Sequence, residues 1–267
     1  MYADDLKLYT VNDPPALQLA IQTIHAWSQA WNLDINKDKT SVMLLGRQHP
    51  PHSFTLDGSP ITACSDFQDL GVRYNNSLNF DIHIASIISK SHARSNYILK
   101  SFSTRKVRTL YRLFCCYVRP IIEYASEVWN PSSTAQVRAL EAVQRRFTKR
   151  CFDRIGRTDL SYDQRLTTLD AQSLSTRRQV SGLSFMYKLA HTDVSVPFSS
   201  LFTISNRSNV SRFHQFVVIP PRCNTIAFKA SFIVRYVEFW NRLPREILMS
   251  SSSFSFKRKV IKRLGLI

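Results

Sequence analysis

Near residue 80 the spacing of apolar residues changes character, and that change limits the folds open to this chain. Before it, short alternating or continuous apolar runs stand between turn signals, the pattern of strands. Leu6-Lys7-Leu8-Tyr9-Thr10-Val11 alternates roughly like a strand, and Val42-Met43-Leu44-Leu45 is an apolar run closed by Gly46. Phe54–Ile61 contains Asp57-Gly58, a pair that favours a two-residue hairpin turn. Phe67–Tyr74 reads as a further strand with Gly71 inside it. One helix interrupts this part. Asp13 can cap it, Pro14 and Pro15 suit its first turn, and Leu17, Ala20, Ile21, Ile24, Trp27, Ser28 and Trp31 share a face. Both tryptophans lie on that apolar face and are expected in the core.

After residue 80 the period is helical. Ile84, Ile87, Ile88, Ser91, Ser95 and Ile98 define one helix. Val107, Leu110, Phe114, Tyr117, Val118, Ile121, Ala125 and Val128 define a longer one, which Pro120 must kink or interrupt. Ser133-Thr134-Ala135-Gln136 reads as a capping box opening a third, with Val137, Leu140, Val143, Gln144 and Phe147 inward. Residues 162–190, 228–241 and 254–264 also look helical, and 192–225 are looser, rich in Ser, Pro and Asn. The expected fold class is α+β. Three stretches are expected: a mixed one over 1–80, a helical one over 81–155 and a basic, largely helical one over 156–267.

Charge divides along the same line. The 267 residues carry +17, with a pI near 10.0. Residues 1–80 hold five basic and eight acidic side chains, a net −3, while 81–267 hold 31 basic and 11 acidic, a net +20. Such an excess suits a polyanionic partner, nucleic acid before an anionic membrane surface. On the third helix, Arg138, Arg145 and Lys149 recur on the face opposite the apolar stripe, with Arg146 and Arg150 on the face beside them. The five cysteines have no CxxC spacing and the seven histidines form no cluster, so neither a zinc site nor a disulfide framework is indicated. No apolar run approaches the ~18–20 residues of a membrane span. MYADDLKLYT lacks the basic start and apolar core of a signal peptide, so the expected location is intracellular, cytosolic or nuclear, with no membrane partner.

Tyr2-Ala3-Asp4-Asp5 is the first candidate for chemistry. Adjacent carboxylates at a tight turn can ligate Mg²⁺, which prefers oxygen donors. Two-metal phosphoryl transfer places its ions about 3.5–4 Å apart, and the donor set normally includes a further carboxylate from another strand. Asp-Asp pairs also occur in ordinary caps and turns, so the tetrapeptide is a weak signal by itself.

An ordered series makes the context more specific. Tyr2-Ala3-Asp4-Asp5-Leu6-Lys7 is followed by the helix with Trp27 and Trp31, then Leu33-Asp34-Ile35-Asn36, Lys39-Thr40, Val42–Gly46, Leu70-Gly71-Val72 and Leu78-Asn79-Phe80. Tyr117–Ser126, Trp129-Asn130-Pro131, Glu141–Arg150 and Trp240-Asn241-Arg242-Leu243-Pro244 continue it. Taken together the series resembles the reverse transcriptase of non-LTR (LINE-type) retrotransposons, from the metal-binding hairpin of the palm onward. The resemblance implies RNA-directed DNA polymerase activity with Mg²⁺ as cofactor, and no small-molecule cofactor. It makes Asp4 the metal ligand and Asp5 its neighbour, sets Lys39 near the incoming triphosphate, and gives Leu70, Gly71 and Val72 the primer-grip role. Lys39 reads equally as a solvated turn lysine, and Leu70-Gly71-Val72 as a packed strand. Residues 1–80 then correspond to the last part of the palm with its primer grip, and 81–155 to a thumb. Arg138, Arg145, Arg146, Lys149 and Arg150 would meet the phosphates of an RNA–DNA or DNA duplex. The family's other palm aspartate and its fingers fall upstream of Tyr2-Ala3-Asp4-Asp5. The expectation is therefore a truncated fragment, inactive alone; the alternative is a basic nucleic-acid-binding protein without catalysis.

Overall fold

The computed structural model describes residues 4–46, 52–191, 196–205 and 217–264. The architecture is α+β, mostly helical with a few short strands, and divides into two units, Met1–Asn79 and Phe80–Ile267.

In the first unit, α1 (Pro14–Ala30) starts as its sequence dictates: Asp13 accepts a hydrogen bond from the Ala16 amide at 3.0 Å, and the prolines occupy the first turn. The strands are β1 (Ser41–Val42), β2 (Thr55–Leu56), β3 (Ser59–Pro60), β4 (Thr62–Ala63), β5 (Asp66–Asp69) and β6 (Val72–Asn75). β1 runs parallel to β4, while β2–β3 and β5–β6 are antiparallel hairpins. Asp57 and Gly58, at φ 50° and 70°, make the tight turn expected of them. The Gln18 amide extends this hairpin from α1: it donates to the Thr55 carbonyl and accepts from the Thr55 amide, both at 2.9 Å.

Three expectations fail in this unit. Phe67–Tyr74 is two strands, not one. Leu70 and Gly71, at φ 46° and 84°, form the turn between them, and the ladder from Asp66↔Asn75 to Asp69↔Val72 holds a leucine in a backbone region it rarely adopts. Leu6–Val11 forms no ladder among the described residues, and Tyr9 and Val11 stay exposed. Trp27 and Trp31 are 48% and 67% exposed and lie 6.4 Å apart, ring to ring. The β2–β3 hairpin packs on α1 around Gln18, and in the C-terminal half of the stripe Ser28 is buried while Trp27 and Trp31 stay open.

The second unit begins with α2 (Asp81–Ser101), whose buried face includes Ile84, Ile87, Ser91, Ser95 and Ile98. The long helix expected over 107–128 is three: α3 (Val107–Tyr117), α4 (Arg119–Glu123) and α5 (Ser126–Trp129). Pro120 has no N–H to continue α3, so a new helix starts beside it. Ala125, at φ 50°, makes the second break. The breaks rotate the inner face, so Leu110, Phe114, Val118, Ile122 and Trp129 are buried while Tyr117 and Val128 face outward. α6 (Thr134–Asp153) packs on α2 and α3, with Phe147 set 4.8 Å from Phe114, ring to ring. Ser133 caps α6 through the Gln136 amide at 3.2 Å, but the Gln136 side chain bonds Asp81 at the start of α2 instead of returning to Ser133. The helical stretch expected over 162–190 breaks at Asp170 (φ 52°) into α7 (Tyr162–Leu169) and α8 (Leu174–His191). Beyond it come α9 (Phe198–Leu201), α10 (Ile226–Ala230), α11 (Phe232–Arg235), α12 (Val237–Asn241), α13 (Arg245–Leu248) and α14 (Ser253–Arg263). Met186, Trp240, Leu248, Phe256 and Val260 are fully enclosed in one apolar cluster that joins α8 to these segments.

Candidate nucleic-acid interface

Asp4 and Asp5 are exposed, and Tyr2 and Ala3 fall outside the described residues. The Lys7 ammonium bonds the Asp69 carboxylate and so fixes the acidic segment beside the Leu70-Gly71 turn. Burial works against the charge on Lys7, but the Asp69 bond and the nearby Tyr74 outweigh it and hold the pKa above the usual lysine value. Leu70 stands half-exposed at the turn and Val72 is buried at the start of β6. Lys39 is exposed in a turn closed by its own amide on Asn36 Oδ1 at 3.0 Å, while its neighbour Lys37 pairs with Asp57 at 2.7 Å. No hydrogen bond or ion pair among the described residues joins Lys39 to Asp4 or Asp5. Nor do the described residues contain a group of three or more His, Cys, Asp or Glu side chains placed to hold a metal ion. Asp4 and Asp5 by themselves do not make up the donor set of a two-metal centre.

The basic stripe lies on the outer face of α6. Arg138, Arg145, Arg146, Lys149 and Arg150 are all exposed on α6, while Leu140, Val143, Phe147 and Cys151 on the same helix are buried. They are not equivalent. Arg145 stacks over the Tyr162 ring at 4.9 Å, Lys149 pairs with Asp153 at 3.1 Å, and Arg150 donates to Asn96 on α2 at 2.5 Å. Arg138 and Arg146 have no hydrogen bond or ion pair among the described residues. Arg146 is close enough to His92 that its charge, added to burial, lowers the His92 pKa.

The inner face of α6 carries a polar network that periodicity did not reveal. Glu141, 7% exposed, accepts from the Leu174 and Ser175 amides at 3.1 Å each and from the Tyr162 hydroxyl. A carboxylate at the N-terminus of α8 satisfies amides that have no partner within the helix and meets the positive end of its dipole. Gln144 donates to the Tyr162 hydroxyl at 3.0 Å and to the Gln172 carbonyl at 2.9 Å. Burial, then the Glu141 charge, drives the Tyr162 pKa far up, so the phenol stays a donor. Arg165 is buried beneath α6, donating to Thr148 Oγ1 at 3.3 Å and to the Leu160 carbonyl at 2.7 Å. One signal was available: Glu141 and Thr148 fall at the same helical positions as the apolar stripe, where a polar side chain must find a buried partner. α6 is thus fixed on its inner face by α7 and α8, and its outer face presents cations.

No family model matches the chain, and no solved structure matches it. Over 148 residues it is 26% identical to an uncharacterised protein of Caenorhabditis elegans, covering 55% of this chain and 75% of that one. It is also 24% identical over 158 residues to the RNA-directed DNA polymerase from the mobile element jockey of Drosophila funebris. That match covers 56% of this chain and 17% of the polymerase, a distant and partial likeness. No helix among the described residues is long and apolar enough to cross a membrane.

Proposed function

We propose that this chain contributes to a reverse transcriptase of the LINE type, and that its helical unit holds a nucleic-acid duplex through the phosphate backbone. The observation that carries the reading is the outer face of α6: five exposed cations on a helix whose other face is locked into a core. Such cations can meet phosphates without disturbing packing, and the contacts are independent of sequence. The distant likeness to the jockey polymerase supports the same direction. In this reading residues 1–80 act as the end of a palm and 81–155 as a thumb. Asp4 and Asp5 supply carboxylates for Mg²⁺, Lys39 approaches a triphosphate, and Leu70-Gly71-Val72 positions a primer end.

Fluorescence anisotropy of an RNA–DNA hybrid at several salt concentrations tests the reading. If three to five cations neutralise phosphates, log K should fall with log salt at a slope of about −3 to −4.5. The side-chain partners decide which cations to replace. Among the described residues Arg138 and Arg146 have no ion pair and Lys149 pairs with Asp153 within α6 alone, whereas Arg145 covers Tyr162 and Arg150 bonds Asn96. Changing Arg138, Arg146 and Lys149 together to Gln should flatten the slope by about 2 to 3 and weaken binding to every sequence alike. A salt-independent affinity, or a triple variant that binds like the parent, would overturn the proposal. On primed poly(rA) with dTTP and Mg²⁺ the 267 residues alone should bind without extending the primer. Extension that Asp4→Asn abolishes would show that they contain a working centre and would overturn the expectation that they are inactive alone.

A further inference from the structure

A cleft of about 120 Å³ lies where α5 and α14 meet α8, lined in part by Glu123, Arg177, Arg178, Ser181 and Lys257. Arg178 is 2% exposed, and its Nε donates to Asn130 Oδ1 at 3.2 Å. Its Nη1 is buried with no hydrogen-bond partner. A guanidinium enclosed this far normally has a carboxylate or a full set of acceptors, since burying charge without them is costly. Arg178 has neither: no carboxylate stands within ion-pair distance of it among the described residues.

The other charges around the cleft do not fill that role. Both Glu123 oxygens are engaged by the Arg177 guanidinium, with Arg119 a further 3.6 Å away. Glu127 accepts from the Ser181 hydroxyl. Lys257 is exposed and without an ion pair among the described residues. Three cations (Arg177, Arg178 and Lys257) therefore line the cleft against one carboxylate, Glu123, and Arg178 and Lys257 have no carboxylate partner among the described residues. Burial depresses the Arg178 pKa, and the Arg235 charge adds to this, while Glu141 and Glu123 oppose it from further away. An anion in the cleft would relieve what burial costs.

We infer that this cleft is a binding site for a tetrahedral oxyanion of the phosphate class, held by Arg178 from the buried side and Lys257 from the solvent side. The inference stands apart from the duplex reading, because it rests on α8 and α14 and not on the α6 stripe. The same chemistry is carried by inorganic phosphate and by the terminal phosphate of an oligonucleotide.

Calorimetric titration of the full chain with sodium phosphate, at ionic strength matched with chloride, is the test. Saturable binding is expected, and Lys257→Gln should weaken it about tenfold, the effect of one charge-assisted hydrogen bond. Lys262→Gln, on the same helix but not lining the cleft, should leave it unchanged. Lys257 is a surface residue, so its variant keeps the parent's melting temperature in chloride and a folding failure cannot be mistaken for a binding one. A trinucleotide with and without a 5′-phosphate then separates the sources. A gain on phosphorylation assigns the site to nucleic-acid ends, and binding of inorganic phosphate alone assigns it to a free anion. Phosphate that does no more than chloride, or equal losses from Lys257→Gln and Lys262→Gln, would overturn the inference and leave Arg178 Nη1 merely hydrated. Duplex anisotropy unaffected by Lys257→Gln would keep that failure separate from the α6 reading.

Discussion

His83 shows how a single buried side chain sets a pH dependence. It is 6% exposed in the first turn of α2 and meets Trp129 edge-on, ring centroids 5.5 Å apart. Burial, then the Lys90 charge, holds its pKa below the ordinary imidazole value. An unfolded chain takes up this proton near pH ~6.5, and the folded chain does so only at lower pH. Acid therefore favours the unfolded state. Stability is whole above about pH 6.5, falls as pH drops toward the folded pKa and levels off below it. Thermal melts should show the midpoint falling as pH drops below about 6.5. His83→Gln should flatten that fall, with the remainder due to His92, whose pKa is lowered by burial and Arg146. A fall just as steep in the variant would exclude His83 as its source. Gly182 is fixed by a neighbouring ring: a Cβ there would stand 2.1 Å from the Tyr236 ring. Neither contact is legible in the sequence, since Trp129 and Tyr236 approach these residues only through the tertiary fold.

At the scale of elements, α6 and α8 are joined by Glu141, whose carboxylate takes two α8 amides and the Tyr162 hydroxyl. Glu141→Ala would leave those donors buried and unpaired, costing about 2–4 kcal/mol in urea unfolding. Glu141→Gln keeps one acceptor oxygen and should cost less. Equal loss from both would mean that the charge, and not the hydrogen bonds, joins the helices. Elements governed by local chemistry were legible: the Asp13 and Ser133 caps, the Asp57-Gly58 turn and the inner face of α2. Where tertiary structure decides, pattern reading failed. Leu70 in a left-handed turn defies residue preference, and the β5–β6 ladder on either side closes the turn around it. Pro120 marked one break in 107–129, but the second sits at Ala125, whose side chain gives no sign of it. For the candidate site, helical spacing alone put all five α6 cations outward. It did not show that Arg145, Lys149 and Arg150 have partners on α7, within α6 and on α2.

Across the whole molecule the two units differ in how much apolar surface they enclose. Among the described residues of the first unit only Phe54, Leu56 and Val72 are buried apolar side chains, and its strands are two to four residues long. So small a core offsets little of the conformational entropy lost on ordering the chain. The second unit encloses Trp129, Trp240, Phe114, Phe147 and Phe256 together with many aliphatic side chains. Native-state hydrogen exchange should therefore show the β5–β6 amides exchanging at least ~100-fold faster than those of α2 and α6, a gap of about 2.8 kcal/mol in opening free energy. The comparison needs no truncation, because each amide reports its own opening within the intact chain. Equal protection would mean that the side chains left open in the first unit, Trp27 and Trp31 above all, are covered in solution by a surface that the unit does not itself supply.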